Sequence, residues 1–260
     1  MWSKSREEAW QEMESRMDEV RTARVIPIRK IVLVSAAVFL AVIGLTSFFR
    51  FYRVTIEAPA GMHKTVLLPD GSKIELNAVS SVYYFPYRWK SARTVTLSGE
   101  AHFEVTRGKP FSVISLKGRT EVLGTSFNIY SRKDIYRVTC LSGTVKVISD
   151  TRREAVLDPN HSAEVLDNGD IVTHTLADVY PVVSWRNNEF IFTSIPAIEV
   201  FSEIERQYNI SIQTNVNDLI RYTGNFTKTK CRRDFGLYLS CVGFRIFPET
   251  ERCIYHHSSG

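Results

Sequence analysis

A run without charge, IVLVSAAVFLAVIGLTSFF at residues 31–49, limits what the rest of the chain can be. At about 1.5 Å per helical residue it reaches roughly 28 Å, close to the hydrocarbon thickness of a bilayer. Its polar side chains are Ser35, Thr46 and Ser47, hydroxyls that bond back onto helix carbonyls and mark no ion path or proton relay. A secretory signal peptide is the rival reading, but its apolar core usually spans about 7–15 residues and a small-residue cleavage site follows at once. Here Arg50, Phe51, Tyr52 and Arg53 follow, the A-x-A look-alike at 58–60 contains Pro59, and no cysteine precedes Cys140 to take a lipid. The run is therefore predicted to be an uncleaved transmembrane helix. Arg16, Arg21, Arg24, Arg29 and Lys30 precede it, against Arg50, Arg53 and Lys64 after it, which favours the N-terminus inside. The chain then divides into a cytoplasmic arm, residues 1–30, and about 210 residues beyond the membrane.

With 44% hydrophobic and 23% charged residues overall, the exported part has the proportions of one or two globular domains. Net charge is +5, of which the arm contributes +1; the rest is too dispersed for direct nucleic-acid binding. The densest basic cluster, Lys228, Lys230, Arg232 and Arg233, reads as a solvated turn rather than a phosphate site. Cys140, Cys231, Cys241 and Cys253 would lie in an oxidising compartment, and a disulfide in the last 30 residues is compatible with their spacing, although no pairing is selected. None forms C-x-x-C, and His256 and His257 match no standard zinc spacing. G-x-S-x-G, Walker A and H-E-x-x-H are all missing from the sequence, so it predicts no enzyme, cofactor or metal site.

In the arm, Trp10, Met13, Met17 and Val20 recur at spacings of three and four, and Trp2 and Ala9 extend the stripe. Glu12 and Arg16 stand four apart in the favourable order, Glu7 and Glu8 lie near the positive helix end, and Pro27 separates arm from span. About 20 residues cannot bury such a stripe internally, and an isolated helix of that length is marginal in water. Six acidic residues disfavour resting on an anionic inner leaflet. The arm is expected to dock in a groove of a cytoplasmic protein, with Trp2, Trp10, Met13, Met17 and Val20 as contacts.

From Val54 to about Val165 the texture becomes short β-branched and aromatic runs between turn signals. These are Pro69-Asp70-Gly71, Ser98-Gly99, Arg107-Gly108-Lys109-Pro110, Lys117-Gly118, Ser142-Gly143 and Asp167-Asn168-Gly169. The spacing predicts an all-β sandwich, roll or solenoid over residues 54–172. Alternation puts Glu100, His102 and Glu104 on one strand face and Ala101, Phe103 and Val105 on the other. The first set is expected to face solvent, in preference to forming a metal or acid–base site.

Four ordered segments carry a family resemblance: VLLPDGSKIELNAVSSVYYFPYRW (66–89), RTVTLSGEAHFEVTRGKPFSV (93–113), VLGTSFNIYS (122–131) and VTCLSGTVKV (138–147). Together they resemble the FecR periplasmic domain, found in transmembrane sensors and anti-sigma regulators of Gram-negative bacteria. In physical terms Asp70-Gly71 suits a tight hairpin, Gly99 and Gly143 are expected where strands turn, and Phe103, Phe111 and Phe127 are core aromatics. LDPNHSAEV at 157–165 departs from the Pro-Gly-Gln that the family tends to have there.

After a linker near 173–184, residues 185–257 read as a small α+β domain with the order β-α-β-β-α-β-β. Phe190–Phe192 is strand-like; Ile198, Phe201, Ile204 and Tyr208 form a helix stripe that Asn209 ends. Ile210 to Thr214 and 222–228 are strand-like, Arg232 to Cys241 is a second helix candidate weakened by Gly236, and FRIF and CIYH close the unit. WRNNEFIFTSIPAIEVFSEIERQYNISI resembles the short C-terminal domain paired with FecR domains, itself similar to secretin and TonB-dependent receptor N-terminal domains.

The resemblance implies a single-pass protein of the bacterial inner membrane, N-terminus cytoplasmic and both folded domains periplasmic. It implies two partners: an extracytoplasmic-function sigma factor, and the signalling domain of an outer-membrane TonB-dependent transporter. Family members usually carry a longer, multi-helix domain before the span, so the 30-residue arm would cover one groove of a sigma factor. The alternative is a membrane-tethered glycan- or peptide-binding module without sigma-factor control.

Overall fold

The fold is that of a computed structural model, which describes residues 5–21, 28–213 and 220–228, with backbone only at 18–21. It divides into two units, Met1–Phe51 and Tyr52–Gly260.

The first unit contains α1 (Arg6–Arg21) and α2 (Ile28–Phe51). Ser5 and Glu8 start α1 by reciprocal capping: the Glu8 N–H donates to Ser5 Oγ at 3.2 Å and the Ser5 N–H to Glu8 Oε2 at 2.9 Å. The Glu12–Arg16 pair forms at 3.5 Å one turn on. Helix α2 takes in the whole apolar run, and its 24 residues are long and apolar enough to cross a membrane. As expected, its hydroxyls bond inward: Ser35 donates to the Val32 carbonyl at 2.9 Å and Thr46 to the Val42 carbonyl at 2.8 Å.

The second unit opens with thirteen short strands. These are β1 (Val54–Ala58), β2 (Lys64–Leu67), β3 (Lys73–Leu76), β4 (Ser80–Tyr84), β5 (Arg93–Glu104), β6 (Phe111–Ser115) and β7 (Gly118–Val122). They continue as β8 (Ser126–Arg132), β9 (Ile135–Ser142), β10 (Val145–Ser149), β11 (Glu154–Leu157), β12 (His161–Val165) and β13 (Ile171–Thr175). Strand β5 belongs to two hydrogen-bonded faces. Its first half pairs with β4 and β6, in the order β1-β4-β5-β6-β7-β10-β11; its second half pairs with β3 and β8, in the order β2-β3-β5-β8-β9-β12-β13. The barrel-like result matches the expected all-β class, with one contiguous core running from Ala58 to Val165. Phe103 and Phe127 stack at 4.9 Å, and Phe111 meets Phe103 and Trp89 edge-on.

Gly99 is not at a turn, contrary to the expectation from Ser98-Gly99; it lies inside β5 with φ +102°. The parallel pairing of β6 with the start of β5, Arg93 opposite Phe111, explains why. A straight β5 would put its end about 36 Å from its start, whereas the six-residue connection to β6 spans at most about 25 Å. The strand must bend back, and it does so where a Cβ would sit 2.5 Å from Ser80 Oγ and 2.7 Å from Ser80 Cα. Only glycine fits both that contact and that φ. The other turn signals fall between strands or at their ends, Gly118 opening β7 and Ser142 closing β9, with Gly71, Gly143 and Gly169 at positive φ. Asn160, at φ 65°, takes the left-handed position in the turn after Pro159.

Beyond β13 come α3 (Tyr180–Val183), a 3-10 turn at Ser184–Asn187, β14 (Glu189–Pro196), α4 (Ala197–Tyr208) and β15 (Arg221–Thr227). Strands β14 and β15 pair antiparallel across an irregularity at Phe192/Ile195. Helix α4 buries Ala197, Val200, Phe201 and Ile204 against Phe192, Ile195, Tyr222 and Phe226, and Asn209 ends it in the left-handed region as expected. The stripe differs in one member: Ile198 is 37% exposed, because at 100° per residue it lies roughly 120° from Ile204. Residues 211–213 form no strand; their chain is held by the Ile212 N–H donating to Glu205 Oε1 at 2.7 Å. The second helix candidate, the closing strands and Cys231, Cys241 and Cys253 lie outside the described residues.

Candidate functional site: an exposed helix and a polar seam

Helix α1 presents Trp10, Met13 and Met17 to solvent, Trp10 at 61% exposure. Positions i, i+3 and i+7 of one helix fall on one side by geometry alone, so these three members of the expected stripe share one side of α1. Trp2 and the Val20 side chain lie outside the described residues.

The second unit contains a feature that the sequence concealed. Across β3, β5 and β8 the register sets Glu75 opposite His102 and His102 opposite Asn128, with Glu100 opposite Tyr130 one step away. Cross-strand partners share a face, so these polar groups form one patch on the outside of the β domain. The expected solvent face is instead covered: Glu100 is 6% and His102 1% exposed, and of the three only Glu104 reaches water. Helix α4 and the 184–187 turn supply the cover, more than 80 residues later in the chain.

The seam contains two hydrogen-bonded sets. In one, Arg186 clamps Glu75 with two bonds of 2.6 and 2.9 Å and reaches Glu104 at 3.0 Å. That clamp, stronger than the opposing burial, holds the Glu75 carboxyl down at about 2. In the other set, the Asn77 amide donates to Glu100 Oε2 at 2.8 Å and Glu203 Oε1 at 3.3 Å, while its oxygen accepts from Gln207 at 2.6 Å. Asn128 donates to Glu100 at 3.0 Å, and Arg206 binds Glu203 at 2.6 and 3.1 Å. His63 bonds Gln207 Oε1 at 3.1 Å and packs edge-on to Trp185, with ring centroids 5.2 Å apart.

Burial and the neighbouring Glu203 raise the pKa of Glu100. Burial acts on Glu203 in the same sense, but Arg206 and Arg132 outweigh it and the shift is downward. The pair therefore divides its roles, Glu203 keeping its charge and Glu100 taking up a proton more readily. Asn77, Arg186, Glu203, Arg206 and Gln207 were not legible as members of a site. The available signal was Glu203 and Gln207 at i and i+4, bordering the apolar arc of α4, where polar residues need partners if covered.

His102 is neutral here, because burial first and Arg186 second push its pKa from 6.5 to about 4. The unfolded chain accepts a proton that the folded one resists. The resulting stabilisation is complete above pH 6.5 and is lost as pH falls from 6.5 to about 4, by about 3 kcal/mol. Glu100 titrates in the opposite sense and Glu75 only below its ordinary 4.5, so the comparison needed is with His102→Phe. Between pH 6.5 and 4 the wild type is expected to lose about 3 kcal/mol relative to that variant in urea unfolding.

Among the described residues no group of three or more His, Cys, Asp and Glu side chains is placed to hold a metal ion. The seam is a packed, hydrogen-bonded contact that joins α4 and the 184–187 turn to the outside of the β domain.

Residues 54–146 match the family described as FecR protein. Two crystal structures from Parabacteroides distasonis ATCC 8503, each of a proposed anti-sigma factor, are similar to this chain at 28% sequence identity. One, at 1.65 Å, has a TM-score of 0.66 and is matched over 73% of this chain and 91% of its own; the other, at 2.50 Å, scores 0.70 over 80% and 100%. No curated protein matches the chain. The β domain is thus matched as a FecR domain from its first strand to the start of β10, and the similarity to those structures extends past that domain.

Proposed function

We infer that this protein is a single-pass anti-sigma regulator of the bacterial inner membrane. Its arm binds an extracytoplasmic-function sigma factor in the cytoplasm, and its exported domains receive the signalling domain of an outer-membrane TonB-dependent transporter. The observation that carries this reading is likeness to proposed anti-sigma factors over nearly three-quarters of the chain or more. The exposed Trp10, Met13 and Met17 on α1 supply the kind of apolar anchor that a helix-in-groove contact uses. No catalytic step is assigned; regulation here is a matter of which partner is held.

The test is capture of sigma factors by the full-length protein in detergent, with Trp10→Ala/Met13→Ala/Met17→Ala as the variant. Buried aromatic anchors each contribute about 2 kcal/mol or more, so capture is expected to weaken at least about a hundredfold. Undiminished capture by the variant, or no capture by the wild type, would remove the arm from this role. The second unit provides the folding control, since the substitutions lie in the first.

A further inference from the structure

The end of the β domain where the chain enters from α2 is both aromatic and basic. Tyr52 follows Phe51, the last residue of α2, by one peptide bond. The Tyr52 ring lies 5.7 Å from that of Tyr87, the Arg53 guanidinium stands 5.4 Å over Tyr83, Tyr83 meets Phe85 edge-on at 6.1 Å, and Arg88 covers Phe85 at 5.2 Å. Tyr87 is 57% exposed. Residues 77–99 contain no Asp or Glu; of their basic residues Arg88 and Lys90 are left to this surface, Arg93 being buried and paired with Asp70. On β1 the nearest acidic residue is Glu57, four positions and about 13 Å along from Arg53.

We propose that this end of the β domain rests on the outer surface of the membrane that α2 crosses, with Tyr52, Tyr83, Phe85 and Tyr87 at headgroup level and Arg53 and Arg88 on lipid phosphates. The proposal rests on the reading of α2 as a membrane span. Chain length is the first argument. Helix α2 is about 36 Å long against a hydrocarbon core of about 30 Å, so its last residue is at or near the boundary. Each further residue adds at most about 3.6 Å, which keeps Tyr52 and Arg53 within the headgroup layer or just above it. The ring contacts then tie Tyr83, Phe85, Tyr87 and Arg88 to those two.

Chemistry is the second argument. Tyrosine favours the membrane–water interface because one end is apolar and the other wet. Arginine buries its stem while its planar head pairs with phosphate, and the local excess of positive charge complements anionic lipid.

The test uses full-length protein reconstituted in phosphatidylethanolamine–phosphatidylglycerol vesicles containing brominated phosphatidylcholine, which quenches indole fluorescence on contact. Three single reporters are compared with the wild-type background: Tyr87→Trp on this surface, Tyr180→Trp on α3, and Phe39→Trp in α2. The added signal at 87 and at 39 is expected to be largely quenched and that at 180 not. Adding Arg53→Glu, Arg88→Glu and Lys90→Glu to Tyr87→Trp is expected to release most of the quenching at 87. Quenching at 39 with none at 87 overturns the surface contact and spares the span. No quenching at either overturns both, and retention of quenching at 87 in the charge-reversed protein overturns the role given to the arginines.

Discussion

Arg93→Met is expected to destabilise the β domain by about 4 kcal/mol, near the middle of the range for breaking a buried ion pair from one side. Arg93, at the start of β5, binds Asp70 in the β2–β3 turn through Nε at 2.6 Å and pairs with it again through Nη2. It also donates to the Lys109 carbonyl at 2.6 Å and the Thr106 carbonyl at 2.9 Å, so one guanidinium fastens the hairpin turn and the connection that brings the chain back to β6. Its flat face lies 5.5 Å from the centre of the Phe111 ring, and the side chain has little contact with water. Methionine keeps the stem's packing but leaves Asp70 charged and two carbonyls without donors. A loss of about 4 kcal/mol lowers the melting temperature by about 10 °C in a domain of this size, measurable through tryptophan fluorescence of the full-length protein in micelles. Asp70→Asn added to Arg93→Met is expected to recover part of the loss, because the uncompensated charge is then gone. A cost below about 1 kcal/mol for Arg93→Met would mean that water screens the pair as at a surface.

The features that were legible in the sequence are those that a local stretch determines. The long apolar helix α2 follows from composition, the shared side of Trp10, Met13 and Met17 on α1 from spacing, and the hairpin at Asp70-Gly71 from turn chemistry, and all three are present in the structure. Gly99 was misread because a Ser-Gly pair looks the same at a turn and at a bend inside a strand. Only the pairing of Arg93 with Phe111, 18 residues apart, tells them apart. Glu100 and His102 were placed on the correct face but in the wrong surroundings. Alternation fixes the side of the sheet, whereas the cover comes from Arg186, Glu203 and Gln207, far along the chain. Nor could Asn77 be found by motif, since a buried amide has no signature until its partners are in place.

Asn77→Leu is expected to open the seam while leaving the barrel closed. Asn77 hydrogen-bonds the two carboxyls on opposite sides, Glu100 on β5 and Glu203 on α4, and it also accepts from Gln207. Leucine fills nearly the same volume, so little cavity forms and the loss is polar. Glu203 keeps Arg206 and Glu100 keeps Asn128, but each loses a bond, and the Ala78 N–H loses the acceptor it holds at 2.7 Å. At about 1–3 kcal/mol for each buried polar group left short, the sum is near 4 kcal/mol. The apolar core around Phe103 and Phe127 is untouched, so the cost falls first on the docking of α4. Hydrogen exchange of the full-length protein should then show α4 amides exchanging about a hundred to a thousand times faster, and β8 and β9 amides changing much less. Equal acceleration in both would mean that the seam cannot open apart from the barrel. Acceleration confined to α4 would identify the seam, with Asn77 at its centre, as an element with two separable states, which is what coupling between this segment and the β domain requires.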